Sequence, residues 1–283
     1  MDQFYLFDIE LNYLTHNFTL ENLFYFCQVM KRYFIQCSFW GEHYCGWQKQ
    51  PDSPSIQSAL DHGLSTVFQE NIEVMGAGRT DTGVHAKYFI AHFDAETDVE
   101  QQPNLIYKLN NILPHDIAVQ NIFGVSPNNH ARFDATSRQY QYRISPVKNP
   151  FEIHTACLIK NELDVKLMHK CAKTLCGFSN FKSFSKTKTA VNNFECNVMD
   201  ARVYQENGIV IFEISANRFL RNMVRAITGT LINVGLGKTS YEEFIGIVQA
   251  QDRKKAGKSV PAHGLYLTAI NYPYQLNPIH ERK

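Results

Sequence analysis

Gly76-Ala-Gly-Arg-Thr-Asp-Thr-Gly-Val-His-Ala86 brings one guanidinium (Arg79), one carboxylate (Asp81) and one imidazole (His85) into a stretch whose three glycines let the backbone turn sharply. An apolar run over 72–75 leads in and a strand-like run over 88–93 leads out. Asp81 is therefore expected at the mouth of a sheet, where loops carry chemistry. The same residues also suit a plain tight turn in which Asp81 caps backbone N–H groups. The surrounding segments decide between the two.

Working outward, strand-like runs fall at 33–39, 117–125, 138–144, 197–204 and 209–215. Behind Ser53 as N-cap and Pro54 as first helical residue, Ile56, Leu60, Leu64, Val67 and Phe68 recur at helical spacing. Further helical patterns cover 163–176, 221–234 and 241–249. The mixture predicts an α+β fold of two packed subdomains, divided near Asn149-Pro150 into 30–148, carrying the Asp81 motif, and 149–283, carrying an arginine-rich helix. Residues 1–29 are aromatic-rich without clear turn chemistry and read as an N-terminal extension, with Met30 as an alternative start.

With 44% hydrophobic residues in 283, the chain has ample material for a core. A formal net charge of +1 gives no bulk argument for a polyanionic partner, so any nucleic-acid surface has to be local. Seven cysteines (27, 37, 45, 157, 171, 176, 196) show no Cys-x-x-Cys pair or zinc-finger spacing and read as reduced thiols. His43 and His62 lack suitably spaced partners, so no metal site is expected. With no apolar run of about 18 residues and no secretory signal, the expected location is cytoplasmic and no membrane partner is expected. The basic run Arg253-Lys-Lys255 reads as a solvated loop.

Three constellations bear on chemistry. Arg218, Arg221 and Arg225 share a helical pattern with Val224, Ile227 and Leu231, and Arg221 and Arg225 lie four apart, on one side of a helix. Arg225 sits at the edge of the apolar stripe, where a guanidinium needs a partner; a carboxylate fits its fork bidentately. The alternative is arginines that snorkel to solvent. In His130-Ala-Arg-Phe-Asp-Ala-Thr-Ser-Arg-Gln-Tyr-Gln-Tyr142, strand alternation puts Arg138, Tyr140 and Tyr142 on one face. Ring and guanidinium together suit an unstacked base and its phosphate, although half-buried tyrosines of a strand are also ordinary packing residues. Gly41-Glu-His-Tyr-Cys-Gly-Trp-Gln-Lys-Gln50 is expected to be a loop packed under the site.

Together these segments resemble the tRNA pseudouridine synthase A family. The pattern is Tyr44-x-Gly-Trp-Gln-x-Gln50, Gly78-Arg-Thr-Asp-x-Gly-Val-His-Ala86, His130-Ala-Arg-Phe133, Met223-Val-Arg225 and Pro261-Ala-His-Gly-Leu265, over about residues 31 to 273. One departure is Asn180 in Gly177-Phe-Ser-Asn-Phe181, where family members commonly carry aspartate.

The resemblance implies the pseudouridine synthase fold with a central cleft, and isomerisation of uridine to pseudouridine in the anticodon stem-loop of tRNA, at positions 38–40, without cofactor or metal. It gives Asp81 the role of catalytic carboxylate, either as nucleophile on the ribose or as the base for the C2′ proton. It makes Arg225 the partner that keeps Asp81 ionised and aimed. Tyr140 becomes the ring that stacks on the target base, with Tyr142 in reserve, and Arg79 lies near the phosphate of a flipped nucleotide. His85 braces the loop beside the substrate. The implied assembly is a homodimer in which one tRNA touches both subunits.

Two other functions compete. Asp81-Thr-Gly83 is also the aspartic-protease triplet, but that chemistry needs a second carboxylate in a second such triplet, and the sequence has none. A non-catalytic RNA-binding module uses the same basic and aromatic surface, and Asp81 discriminates it from an enzyme.

Overall fold

The computed structural model describes residues 30–187 and 192–279; the expected extension over 1–29 lies outside the described residues. The strands are β1 (Lys31–Phe39), β2 (Met75–Gly76), β3 (His85–Ala95), β4 (Ile117–Gly124), β5 (Ser137–Ser145), β6 (Cys157–Leu158), β7 (Val198–Glu206), β8 (Ile209–Ala216) and β9 (Leu265–Asn271). They form one sheet in the order β4-β1-β3-β9-β5-β8-β7, with β2 added to β3 and β6 to β5. The β3–β9 and β5–β6 pairs are parallel and the others antiparallel, so the sheet is mixed. The helices are α1 (Ile56–Phe68), α2 (Leu105–Ile112), α3 (Val165–Thr174), α4 (Met223–Gly235) and α5 (Tyr241–Gln249). The α+β expectation holds.

Two cores sit along this sheet. The first joins Phe34, Ile35, Phe89 and Phe93 to Ile56, Leu60 and Leu64 of α1 and Leu109 of α2. The second joins Tyr142, Phe212 and Ile214 to Met168 of α3, Ile227 and Leu231 of α4 and Phe244 of α5. The chain crosses between them: Val84, three residues past Asp81, packs in the second core, and Leu267 and Ile270 of β9 pack in the first. Tyr140 touches both.

Helix α1 starts two residues later than expected, at Ile56 rather than Pro54. Ser55, not Ser53, is the N-cap: its Oγ accepts from the Ser58 N–H while the Ser58 hydroxyl accepts from the Ser55 N–H, so two N–H groups that the helix leaves without a carbonyl partner are satisfied. Helix α4 starts at Met223, because Asn222 adopts the left-handed conformation (φ 66°) and breaks the pattern there. Arg221 thus lies in the preceding turn rather than on the helix. α4 is buried almost all round, and its threonines Thr228 and Thr230 donate to the carbonyls of Val224 and Ala226, which keeps their hydroxyls satisfied without solvent.

Candidate active site

The loop carrying Asp81 is fixed from below. The Val84 N–H donates to the Asp81 carbonyl at 3.2 Å, closing a turn whose Gly83 has φ +76°, a region that side-chain-bearing residues rarely adopt. The Gly41–Gln50 loop lies against it, as expected. Gly46, also at positive φ (+91°), approaches so closely that a Cβ there would lie 2.3 Å from the Thr80 carbonyl oxygen. Trp47 is buried face to face with Phe89 at 4.1 Å, and its backbone N–H reaches the Thr80 carbonyl.

His85 is 1% exposed and both ring nitrogens are engaged. Nδ1 accepts from the Gly41 N–H at 2.9 Å, so Nε2 carries the proton and donates to the His263 carbonyl at 3.1 Å. Trp40 stacks on the ring at 3.8 Å, and burial pushes the imidazole down to about 4. The ring is a neutral brace joining three loops and has no free nitrogen for substrate.

The opposing wall comes from the turn before α4 and from α4 itself. Arg225 NH1 lies 3.6 Å from Asp81 Oδ2, and Arg221 Nε lies 3.6 Å from Asp81 Oδ1. The expected bidentate fork is absent: Arg225 Nε donates instead to the Val260 carbonyl at 2.7 Å, and the Val260 N–H returns a bond to the Arg225 carbonyl. One guanidinium is thus anchored through one nitrogen and aimed through another. At 3.6 Å both arginines act as charges rather than direct donors, and the carboxylate lone pairs stay available.

Tyr140 is half-buried beside this ion cluster. Its ring meets Phe219 edge-on at 5.1 Å. Desolvation pushes the phenol up to about 12, Arg138 opposing and the Asp81 charge adding to the rise. Arg79 is exposed on the loop. Tyr142 does not share this position. It is fully buried, donates to the Pro261 carbonyl at 2.8 Å and lies directly under Gly264, where a Cβ would meet its ring at 2.8 Å. Tyr142 is therefore corrected from a reserve stacking ring to a core residue that holds the 261–264 segment.

Arg138, expected on a phosphate, is also engaged internally. NH1 donates to the carbonyls of Ala135 and Asn217, and NH2 to those of Ala77 and Arg132. One side chain ties the 130–136 loop, the Asp81 loop and the β8–α4 loop together. The part played by Arg221 and by the 257–262 segment was not evident in the sequence, although Pro261-Ala-His-Gly-Leu265 had marked the latter. Asn180 accepts from the Lys182 N–H at 3.0 Å and bridges to Glu195, so it closes its own turn. Among the described residues, no three His, Cys, Asp or Glu side chains converge as a metal site requires, and no helix is long and apolar enough to cross a membrane.

A family model described as "tRNA pseudouridine synthase" matches residues 36–134 and 171–273. A tRNA pseudouridine synthase A of Parabacteroides distasonis is 43% identical over 252 residues, covering 89% of this chain and 100% of that protein. That of Bacteroides fragilis is 46% identical over 248 residues, covering 87% and 98%. One from Francisella tularensis is 38% identical over 250 residues, covering 86% and 95%.

Proposed function

The chain belongs to the tRNA pseudouridine synthase family, and from that premise we propose that it isomerises uridine to pseudouridine in the anticodon stem-loop of tRNA with Asp81 as its catalytic carboxylate. The observation that carries the assignment of Asp81 is the ion cluster itself: one carboxylate, 28% exposed, between two guanidiniums at 3.6 Å and beside an aromatic ring. An ionised carboxylate with free lone pairs serves either as nucleophile at ribose C1′ or as base for the C2′ proton, and both routes break the C1′–N1 bond through a sugar centre of developing positive charge. Uracil then turns and rejoins through C5; the C5 proton leaves, N1 gains one, and the net change is an isomerisation without redox partner.

Tyr140 presents the face on which the extruded uracil stacks, and exposed Arg79 takes the backbone phosphate of the flipped nucleotide. Catalysis then needs both halves of the chain, 30–148 for Asp81 and 149–283 for Arg225. The chain acts as a homodimer; Val147, Phe151 and Ile153 of the β5–β6 connection and Leu158 of β6, all exposed (Phe151 by 90%), supply apolar surface for such a contact. Its place is the cytoplasm, beside its substrate and in keeping with six free cysteines among the described residues.

Mapping pseudouridine in tRNA from cells with and without this protein tests the reading. Loss of modification confined to anticodon stem-loop uridines is expected; an unchanged map contradicts it.

A further inference from the structure

The most exposed aromatic ring next to the site belongs to Phe133, 75% open to solvent, and nothing in the isomerisation chemistry above uses it. The backbone that carries this ring is held in place by a set of hydrogen bonds. The 130–134 segment is a single closed turn in which the Asp134 N–H donates to the His130 carbonyl. His130 Nδ1 accepts from the N–H groups of both Arg132 and Phe133, and its ring lies 4.2 Å from that of Phe133. The Asp134 carboxylate accepts from the His130 N–H and from the Tyr274 hydroxyl, and Tyr272 donates to the Ala131 carbonyl. Five groups thus fix the backbone that presents one outward ring.

The turn is also tied to the reacting centre. Arg138 NH2 donates at once to the Arg132 carbonyl, the peptide unit that precedes Phe133, and to the Ala77 carbonyl, four residues before Asp81. Four residues of chain span at most roughly 14 Å, so ring and carboxylate are carried on one locally rigid unit. The ring's company is basic: the exposed Arg132 guanidinium stands 5.7 Å from its centroid, and Arg79 projects from the linked loop.

We propose that Phe133 is a stacking platform for an unpaired nucleobase flanking the target uridine, with Arg132 against the adjoining phosphate. The proposal rests on tRNA as substrate and adds a second base contact to it. Extruding a uridine from a stem-loop leaves its neighbour unstacked, and an immobilised aromatic face beside a guanidinium is the surface on which single-stranded nucleic acid stacks without sequence preference. Because the ring is already ordered, little side-chain entropy is lost on contact. The flanking arginines favour nucleic acid over a second protein surface.

The test compares Phe133→Ala, Phe133→Leu and Phe133→Trp, using full-length tRNA for kinetics and an anticodon stem-loop carrying 2-aminopurine beside the target uridine for fluorescence. The Ala and Leu variants are expected to raise KM roughly 5- to 150-fold, with the loss falling on KM more than on kcat. Leu keeps apolar area but no aromatic face, so it should resemble Ala, whereas Trp restores binding. Wild type and Trp quench the 2-aminopurine; Ala and Leu do not. Thermal midpoints within about 2 °C of wild type are expected, since an exposed ring contributes little to stability. A KM unchanged in Phe133→Ala, Leu behaving as wild type, or an altered sedimentation coefficient with unaltered RNA affinity overturns the proposal. Wild-type protein that makes no pseudouridine in tRNA overturns the underlying functional reading instead.

Discussion

His85 and His92 are each held as neutral imidazoles inside the first half of the chain. His85 has both nitrogens bonded, and His92 accepts from the Ala131 N–H at 3.2 Å; burial lowers both to about 4 from the ordinary 6.5. The unfolded chain therefore takes up protons near pH 6.5 that the folded chain refuses until about pH 4. Stability from this source is complete above pH 6.5 and declines as pH falls toward 4, by roughly 2 kcal/mol per histidine after discounting for solvent screening. An NMR titration should find the His85 and His92 ring resonances flat down to pH 5; a midpoint near 6.5 for either would contradict the buried brace. At this scale the sequence was readable where chemistry forced a choice. Asp81 and Arg225 were legible because a carboxylate among glycines and a guanidinium on an apolar edge each demand a partner. Tyr140 and Tyr142 were not separable, because strand alternation sets which face a ring points to but not what covers it, and Gly264 covers Tyr142. Arg138 was misread for a related reason: carbonyls from three loops reach it, and no local pattern announces them.

Among the elements, α4 and the 257–260 segment matter most, because between them they hold Arg225. The segment crosses α4 at Gly229, where an added Cβ would stand 1.8 Å from the Lys258 carbonyl oxygen, and the Gly257 N–H donates to the Thr230 hydroxyl. Replacing Gly229 with Ala must push this segment, and with it the Val260 carbonyl that anchors Arg225 Nε. A loss of about 3 kcal/mol is expected, read from the urea midpoint, together with reduced turnover. Gly246→Ala in α5 is the control: nothing lies within 4 Å of its added Cβ, and an exposed helical glycine exchanged for alanine should gain up to about 1 kcal/mol. Equal effects of the two substitutions would refute the close crossing. Most elements were visible in the sequence because their periodicity was clean, as in β1, β5 and α5. Helix α2 was missed because it is short and follows a left-handed Asn104, and β9 because its partners β3 and β5 lie far away in the chain. The start of α4 shifted because Asn222 interrupts a pattern that residue spacing alone would continue through Arg221.

Across the whole molecule, the two cores share a single sheet, in which β9 pairs with β3 on one side and β5 on the other. Periodicity identified the strands, but it could not reveal this pairing, which depends on tertiary contacts. The arrangement sends Val84 into the second core, so the turn carrying Asp81 is seated against the helix carrying Arg225. A chain with almost no net charge thereby gathers Arg79, Arg221 and Arg225 around one carboxylate or on its loop, a local basic surface where bulk charge offered none. The ion cluster exists only in the folded whole, because Asp81 and its two arginines lie more than 130 residues apart in the chain.

Single-turnover pseudouridine formation by Asp81→Asn, measured beside its tRNA dissociation constant, tests the catalytic role of Asp81 most directly. The amide keeps the shape and removes the charge, so the rate should fall by roughly 10³-fold or more while affinity changes only a few-fold. A variant that still forms pseudouridine at the wild-type rate would contradict the account.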